Sequence, residues 1–186
     1  MFTGNILNRI KYHFEEAEPY YIVLSVALMA GSCAGAFTLG CLSPELVAEL
    51  SVIMSNYSNF MSNGSLVKDV FFEGIKGSLN LSLIIYVCSF TPLALASGVF
   101  VLSAKGFCIG FMAAGVLKCF ALKNAALLLL QSAPCQLFSI AAIYLMSGVG
   151  TMNQKVHRSF FQNTILFILI YLIFILGTVC EVIIKC

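Results

Sequence analysis

Residues 79–122 read LNLSLIIYVCSFTPLALASGVFVLSAKGFCIGFMAAGVLKCFAL. The stretch is apolar almost throughout, and its two interruptions are Thr91-Pro92 and Ser103-Ala104-Lys105. A helix needs about 20 apolar residues to span the hydrocarbon core of a bilayer. Lipid offers no partner for backbone N–H and C=O groups, so an apolar run of that length must be helical. Divided at Ser103-Ala104-Lys105, the stretch yields two spans, 79–102 and 106–122. Working outward, the same reading finds runs at 20–41, 124–149 and 160–184. The sequence predicts an all-α, polytopic membrane helix bundle of five transmembrane helices, forming a single domain over 1–186.

Composition agrees. The chain is 60% hydrophobic and 10% charged, with a mean hydropathy of +0.99, where a soluble domain carries about 25% charged residues. A net charge of +2 is too small to point to nucleic acid. The first run follows Glu15-Glu16-Ala17-Glu18-Pro19, and no small-residue cleavage site closes a short apolar core, so no signal peptide is expected. Tyr20 and Tyr21 stand where aromatic belts stand, at the water–lipid boundary.

The polar flanks predict two amphipathic elements. In 1–18, Phe2, Ile6, Ile10 and Phe14 recur every four residues, as expected of a short helix lying on the membrane. In 42–78, Ser43-Pro44-Glu45 is a helix start, with a cap, a proline at the first position and an acid in the first turn. Leu46, Leu50, Ile53, Tyr57 and Phe60 then form an apolar stripe, and Ser62-Asn63-Gly64-Ser65 ends it. This outer segment is a candidate docking platform, and Leu50, Ile53, Tyr57 and Phe60 are its candidate partner-binding residues.

Proline and glycine punctuate the spans. Pro92 and Pro134 are expected to kink the second and fourth spans, since proline removes a helical hydrogen bond. Gln131 and Gln136 flank Pro134, and two glutamines in one span suit bonds across helices or the lining of a solute path. Gly31-x-x-x-Gly35 and Gly106-x-x-x-Gly110 offer bare backbone faces where another helix can approach. They are expected to pack helices together, within the bundle or in a homo-oligomer. The cysteines form no CxxC pair and are expected to pack between helices as small hydrophobes. No metal site or cofactor is expected.

Catalysis finds no footing. The chain lacks a zinc-protease, nucleophile-elbow or Walker motif, and its histidines, His13 and His157, stand far apart without candidate co-ligands. No run carries a central aspartate or glutamate, which argues against an ion-coupled pump. With the N-terminus in the cytoplasm, Arg9, Lys11, Lys105, Lys155 and Arg158 fall inside. Lys68, Lys76, Lys118, Lys123 and Lys185 then fall outside. The counts tie, both arginines lie inside, and the first segment commonly dominates, so the N-terminus is expected inside and the C-terminus outside.

The order of these features resembles a known family. A juxtamembrane helix, a span with Gly31-x-x-x-Gly35 and an outer amphipathic stretch precede Phe71-Phe72 and Gly77-x-x-Asn80. Lys105-Gly106-Phe107-x-x-Gly110-Phe111 follows, then a span centred on Pro134-Cys135-Gln136. Over nearly its whole length the chain resembles the stage II sporulation protein M (SpoIIM-like) family, in which the last motif has the order Pro-Gln. The resemblance implies a five-span, non-enzymatic scaffold in a bacterial cytoplasmic membrane. It implies as partners membrane lipids and two cell-wall lytic proteins, a transglycosylase and an amidase, acting in septal thinning and engulfment during endospore formation. The alternative is a small transporter or permease subunit with a path near Pro92 and Pro134.

Overall fold

The computed structural model describes the backbone of residues 2–62, 67–120, 122–156 and 160–185. Side chains are described for 17–56, 76, 79–120, 124–126, 128–130, 133, 136–152, 161–176 and 179. The fold is all-α, and the described residues contain no strand. The helices are α1 (Phe2–Gly40), α2 (Pro44–Ser62), α3 (Val67–Cys88), α4 (Ala94–Cys119), α5 (Leu122–Val156) and α6 (Phe160–Lys185). Among the described residues, two stretches are long and apolar enough to cross a membrane, Ala17–Gly40 and Ala94–Cys119.

The decisive stretch divides differently from the sequence expectation. The chain breaks at Pro92, and Ser103-Ala104-Lys105 lies inside one continuous helix. Pro92 cannot donate a backbone hydrogen bond, and it pushes Thr91 away from helical geometry. Neighbouring hydroxyls then offer the backbone an alternative. The Ser89 N–H donates to the carbonyl of Ile85 at 2.9 Å, and the Ser89 hydroxyl donates to Tyr86 at 2.6 Å. Both the N–H and the hydroxyl of Thr91 donate to Cys88 at 2.9 Å. The last carbonyls of α3 are thereby satisfied without further helix. Ser103-Ala104-Lys105 contains no such breaker, and alanine and lysine are good helix formers. The second span is thus broken rather than kinked. Pro134, in contrast, lies within α5, which continues through it.

The N-terminal expectation also changes. The amphipathic segment and the first span form one helix, α1, with Pro19 inside it. Proline removes one intrahelical bond, to the carbonyl of Glu15, and does not forbid helical φ. Glu18 and Pro19 are exposed, in a polar stretch where water can take the freed carbonyl. The outer helix begins where expected: the Ser43 hydroxyl faces the Leu46 N–H at 3.5 Å, and the Val47 N–H donates to the Ser43 carbonyl at 3.1 Å.

Contacting residues give the helix directions. Gly31 meets Ser103, Gly35 meets Phe107 and Phe111, and Gly115 lies near Leu39, so α1 and α4 run parallel. Gly98 packs on Ser147 while Gly150 packs on Ser89 and Ala94, so α5 runs antiparallel to α4. Ser89 bonds Asn163, Tyr86 bonds Thr164, and Leu79 lines a groove with Ile175, so α3 and α6 are antiparallel. Directions therefore alternate along α1, α3, α4, α5 and α6. Leu24, Ile85, Val101, Leu102, Ile143, Met146 and Phe167 fill the core between them.

Candidate functional site

The α1–α4 seam is built from backbone. A Cβ added at Gly31 would fall onto the carbonyl oxygen of Ser103, and one at Gly35 onto that of Phe107. On the other side, a Cβ at Gly106 would meet the Leu28 carbonyl and one at Gly110 the Ser32 carbonyl. Four glycines on two helices, each in i, i+4 spacing, thus face each other, and their bare faces are used inside the chain. The Ser103 hydroxyl adds a bond to the Ala27 carbonyl at 3.3 Å.

The outer helix is held at one end of this seam. The methyl of Met54 lies against Gly115. Val47, Leu50, Ser51 and Met54 are half-buried, and their spacing marks the face turned to the bundle. Leu46, Val52 and Ile53 are exposed, Ile53 at 65%. The stripe read from sequence is thereby divided: Leu50 belongs to the inner face and Ile53 points away. The side chains of Tyr57 and Phe60 lie outside the described residues.

The proline and glutamine set is not one site. Pro92 is exposed in the turn after α3, next to the part of α5 around Gly150. At a rise of about 1.5 Å per residue, Pro134 lies roughly 24 Å further along α5. Gln136 is half-buried, and its Oε1 is buried without a hydrogen-bond partner among the described residues. The side chains of Gln131 and Pro134 lie outside the described residues.

The residue that sequence reading misplaced is Lys105. It stands half-buried inside α4, about 16 Å along the axis from Ala94 and about 21 Å from Cys119. It shares a face of α4 with Ala94 and Gly98, at spacings of four and seven residues. Those two residues meet α5 at Gly150 and Ser147. Continuing that antiparallel register brings Lys105 level with residues 139 and 140 of α5. Ser139 is 2% exposed, and its Oγ has no hydrogen-bond partner among the described residues. Gln136, Ser139, Ile143, Ser147 and Gly150 form one stripe on α5 at three- and four-residue steps. A signal for this placement did exist in the sequence: only one of the two interruptions in 79–122 contains a proline.

A second polar cluster closes the end of the bundle near the N-terminal end of the α1 apolar stretch. Asn163, fully buried, donates from Nδ2 to Ser89 Oγ at 3.1 Å. The Tyr86 and Thr164 hydroxyls lie 2.8 Å apart. Nearby, the Tyr144 hydroxyl bonds the Tyr21 carbonyl and the Ser25 hydroxyl, and the Tyr21 and Tyr144 rings stack at 5.3 Å. The described cysteines do not pack inside as expected. Cys33, Cys41 and Cys108 are exposed, and Cys88 and Cys119 are half-buried. Between closely approaching helices the small positions are glycine and serine, which leaves the larger thiols on the outer surface. Among the described residues no group of three histidine, cysteine or acidic side chains is placed to hold a metal. No protein-family model, curated protein or solved structure matches the chain.

Proposed function

We propose that the protein is a five-span, non-enzymatic membrane scaffold, with α1, α3, α4, α5 and α6 crossing the bilayer and α2 presented at one face. Large apolar side chains on the outside of the bundle support the crossing: Phe37 and Phe100 are each 74% exposed, Leu130 75% and Phe161 73%. In water such a surface is a liability; in lipid it is the ordinary outer face of a bundle. The alternating helix directions fit an odd number of crossings, with the termini on opposite sides.

The observation that carries the scaffold reading is α2. It is an amphipathic helix with its inner face on the bundle and Leu46, Val52 and Ile53 turned outward at the membrane surface. By the resemblance to stage II sporulation protein M, the partners are a cell-wall transglycosylase and an amidase, and the membrane is the cytoplasmic membrane of a bacterium. With Lys105 inside α4, the N-terminal side keeps Arg9, Lys11, Lys155 and Arg158. It holds both arginines and is assigned to the cytoplasm. The transporter reading, which joined Pro92 and Pro134 in one path, loses that pairing because the prolines lie at different depths.

Two experiments test this reading. Leu46→Asp with Ile53→Asp is expected to abolish co-purification of the lytic partners from sporulating cells and to leave the protein in the membrane fraction. Co-purification that survives both changes removes α2 as the docking element. For topology, Cys186 is expected to react with a membrane-impermeant thiol reagent from outside, while a cysteine placed at Asn153 in a cysteine-depleted background stays protected. The opposite pattern inverts the assignment.

A further inference from the structure

We propose that the slot between α3 and α6 binds one anionic phospholipid of the cytoplasmic leaflet, with an acyl chain lying along it. The inference rests on the five-span reading, and not on the docking role of α2. Leu79 and Leu83 of α3 form one wall and Ile168 and Leu172 of α6 the other, all exposed at the rim. Met146 of α5 and Phe167 of α6, only 1% and 5% exposed, line the floor. A lipid chain on the convex outside of a bundle touches protein on one side. In this slot it is enclosed by three helices.

The dimensions select the occupant. Leu79 to Tyr86 covers about 10 Å of α3, and Thr164 to Ile175 about 16 Å of α6. A volume of about 470 Å³ over that length leaves a cross-section of roughly 30–45 Å². A helix with its side chains is about 10–12 Å across and needs about 80–110 Å². Neither a partner's helix nor one from a second copy fits, whereas a hydrocarbon chain does. The slot also occupies one half of the bundle, from near the end of α3 to the middle of α3 and α6. Its length is close to the roughly 15 Å that one leaflet contributes to the hydrocarbon core.

The two ends of the slot differ. Toward mid-bundle its lining is apolar. At the other end stand the Tyr86 and Thr164 hydroxyls, 2.8 Å apart, at the depth where a phospholipid carries its ester groups. This is the end at which residues 157–159 join α5 to α6. Lys155 and Arg158 fall there in the sequence, and no acid occurs between Glu73 and Glu181. Glu15, Glu16 and Glu18 belong to α1, which is seated on α4. The sequence flanking the mouth of the slot is thus positively charged, which complements an anionic headgroup.

The test uses the full chain purified in detergent, with dioleoyl phosphatidylglycerol and dioleoyl phosphatidylcholine as probes. Bound lipid is counted by mass spectrometry of the intact complex. Alkaline extraction of membranes is scored separately, so failure of the five-span reading is distinguishable from failure of the site. Wild type is expected to hold one phosphatidylglycerol per chain. It should prefer it to phosphatidylcholine roughly tenfold or more, the scale of two basic residues at an anionic surface. Leu83→Trp with Leu172→Phe fills the slot and loses the lipid, while Val26→Trp, on an exposed face of α1, keeps it. A filled variant that holds lipid like wild type overturns the proposal. So does a wild type that holds neither lipid or both equally, or one that forms dimers through this slot without lipid. Should the double variant not fold, Leu83→Phe decides: unchanged retention of phosphatidylglycerol also overturns it.

Discussion

The α1–α4 and α3–α6 interfaces solve the same problem with opposite means. Between α1 and α4, glycine lets the backbones touch, and side chains contribute little. Between α3 and α6 the helices stand apart, and large side chains bridge the gap. Tyr86 meets Phe167 edge to face at a ring distance of 5.0 Å and bonds Thr164, while Asn163 reaches Ser89. An open apolar groove of about 470 Å³ remains, lined by Leu79, Leu83, Phe167, Ile168 and Leu172. The close seam depends on shape and tolerates no added atom. The wide one depends on a few directional contacts and has room to spare. If the bundle sits in lipid, as proposed, apolar surface gains nothing by leaving its solvent, and packing and hydrogen bonds are the available means of helix association.

That contrast can be broken in order of severity. Gly35→Leu is expected to have the largest effect, because the obstacle to a new Cβ is the Phe107 carbonyl and not a movable side chain. Overpacking costs about 1–3 kcal/mol, and a backbone obstacle puts this change at the upper end. Melting in detergent checks it, and oligomer size should hold while melting falls, since the contact is internal. Asn163→Ala comes next, at about 2 kcal/mol, from a lost hydrogen bond and a small cavity. Tyr86→Phe removes the hydroxyl pair with Thr164, about 0.6 kcal/mol for an average bond between membrane helices. A double-mutant cycle with Thr164→Val should show that the two losses do not add. Leu83→Phe is expected to be neutral or slightly stabilising, since the added ring enters the open groove. A large loss at Leu83 would mean the two seams are packed alike.

Local chemistry was legible where it acts alone. Ser43-Pro44-Glu45 specified the start of α2, since a cap, a missing N–H and an acid in the first turn need no distant partner. The glycine pairs were legible as packing faces for the same reason: four-residue spacing puts both on one side of a helix. The interruption of 79–122 was misread because hydropathy ranks Lys105 as the stronger break, whereas backbone geometry ranks Pro92. The misreading hid Lys105 in a loop. The α2 stripe was read one position off its inner face, because alternate apolar residues at 46, 47, 50, 53 and 54 support two overlapping stripes. Which one is inside depends on what Met54 touches.

On the membrane reading proposed above, the sequence by itself determined helices over its apolar runs, since in lipid such runs leave the backbone no partner but itself, and it determined which faces of those helices are small. Tertiary structure alone decided that the faces at Gly31 and Gly35 meet those at Gly106 and Gly110, that α1 and α4 run parallel, and that Lys105 lies level with Ser139. A helical period is a local property and places residues on a face. Which face meets which, and at what depth, follows from the register between segments far apart in the chain, and no local period carries that information.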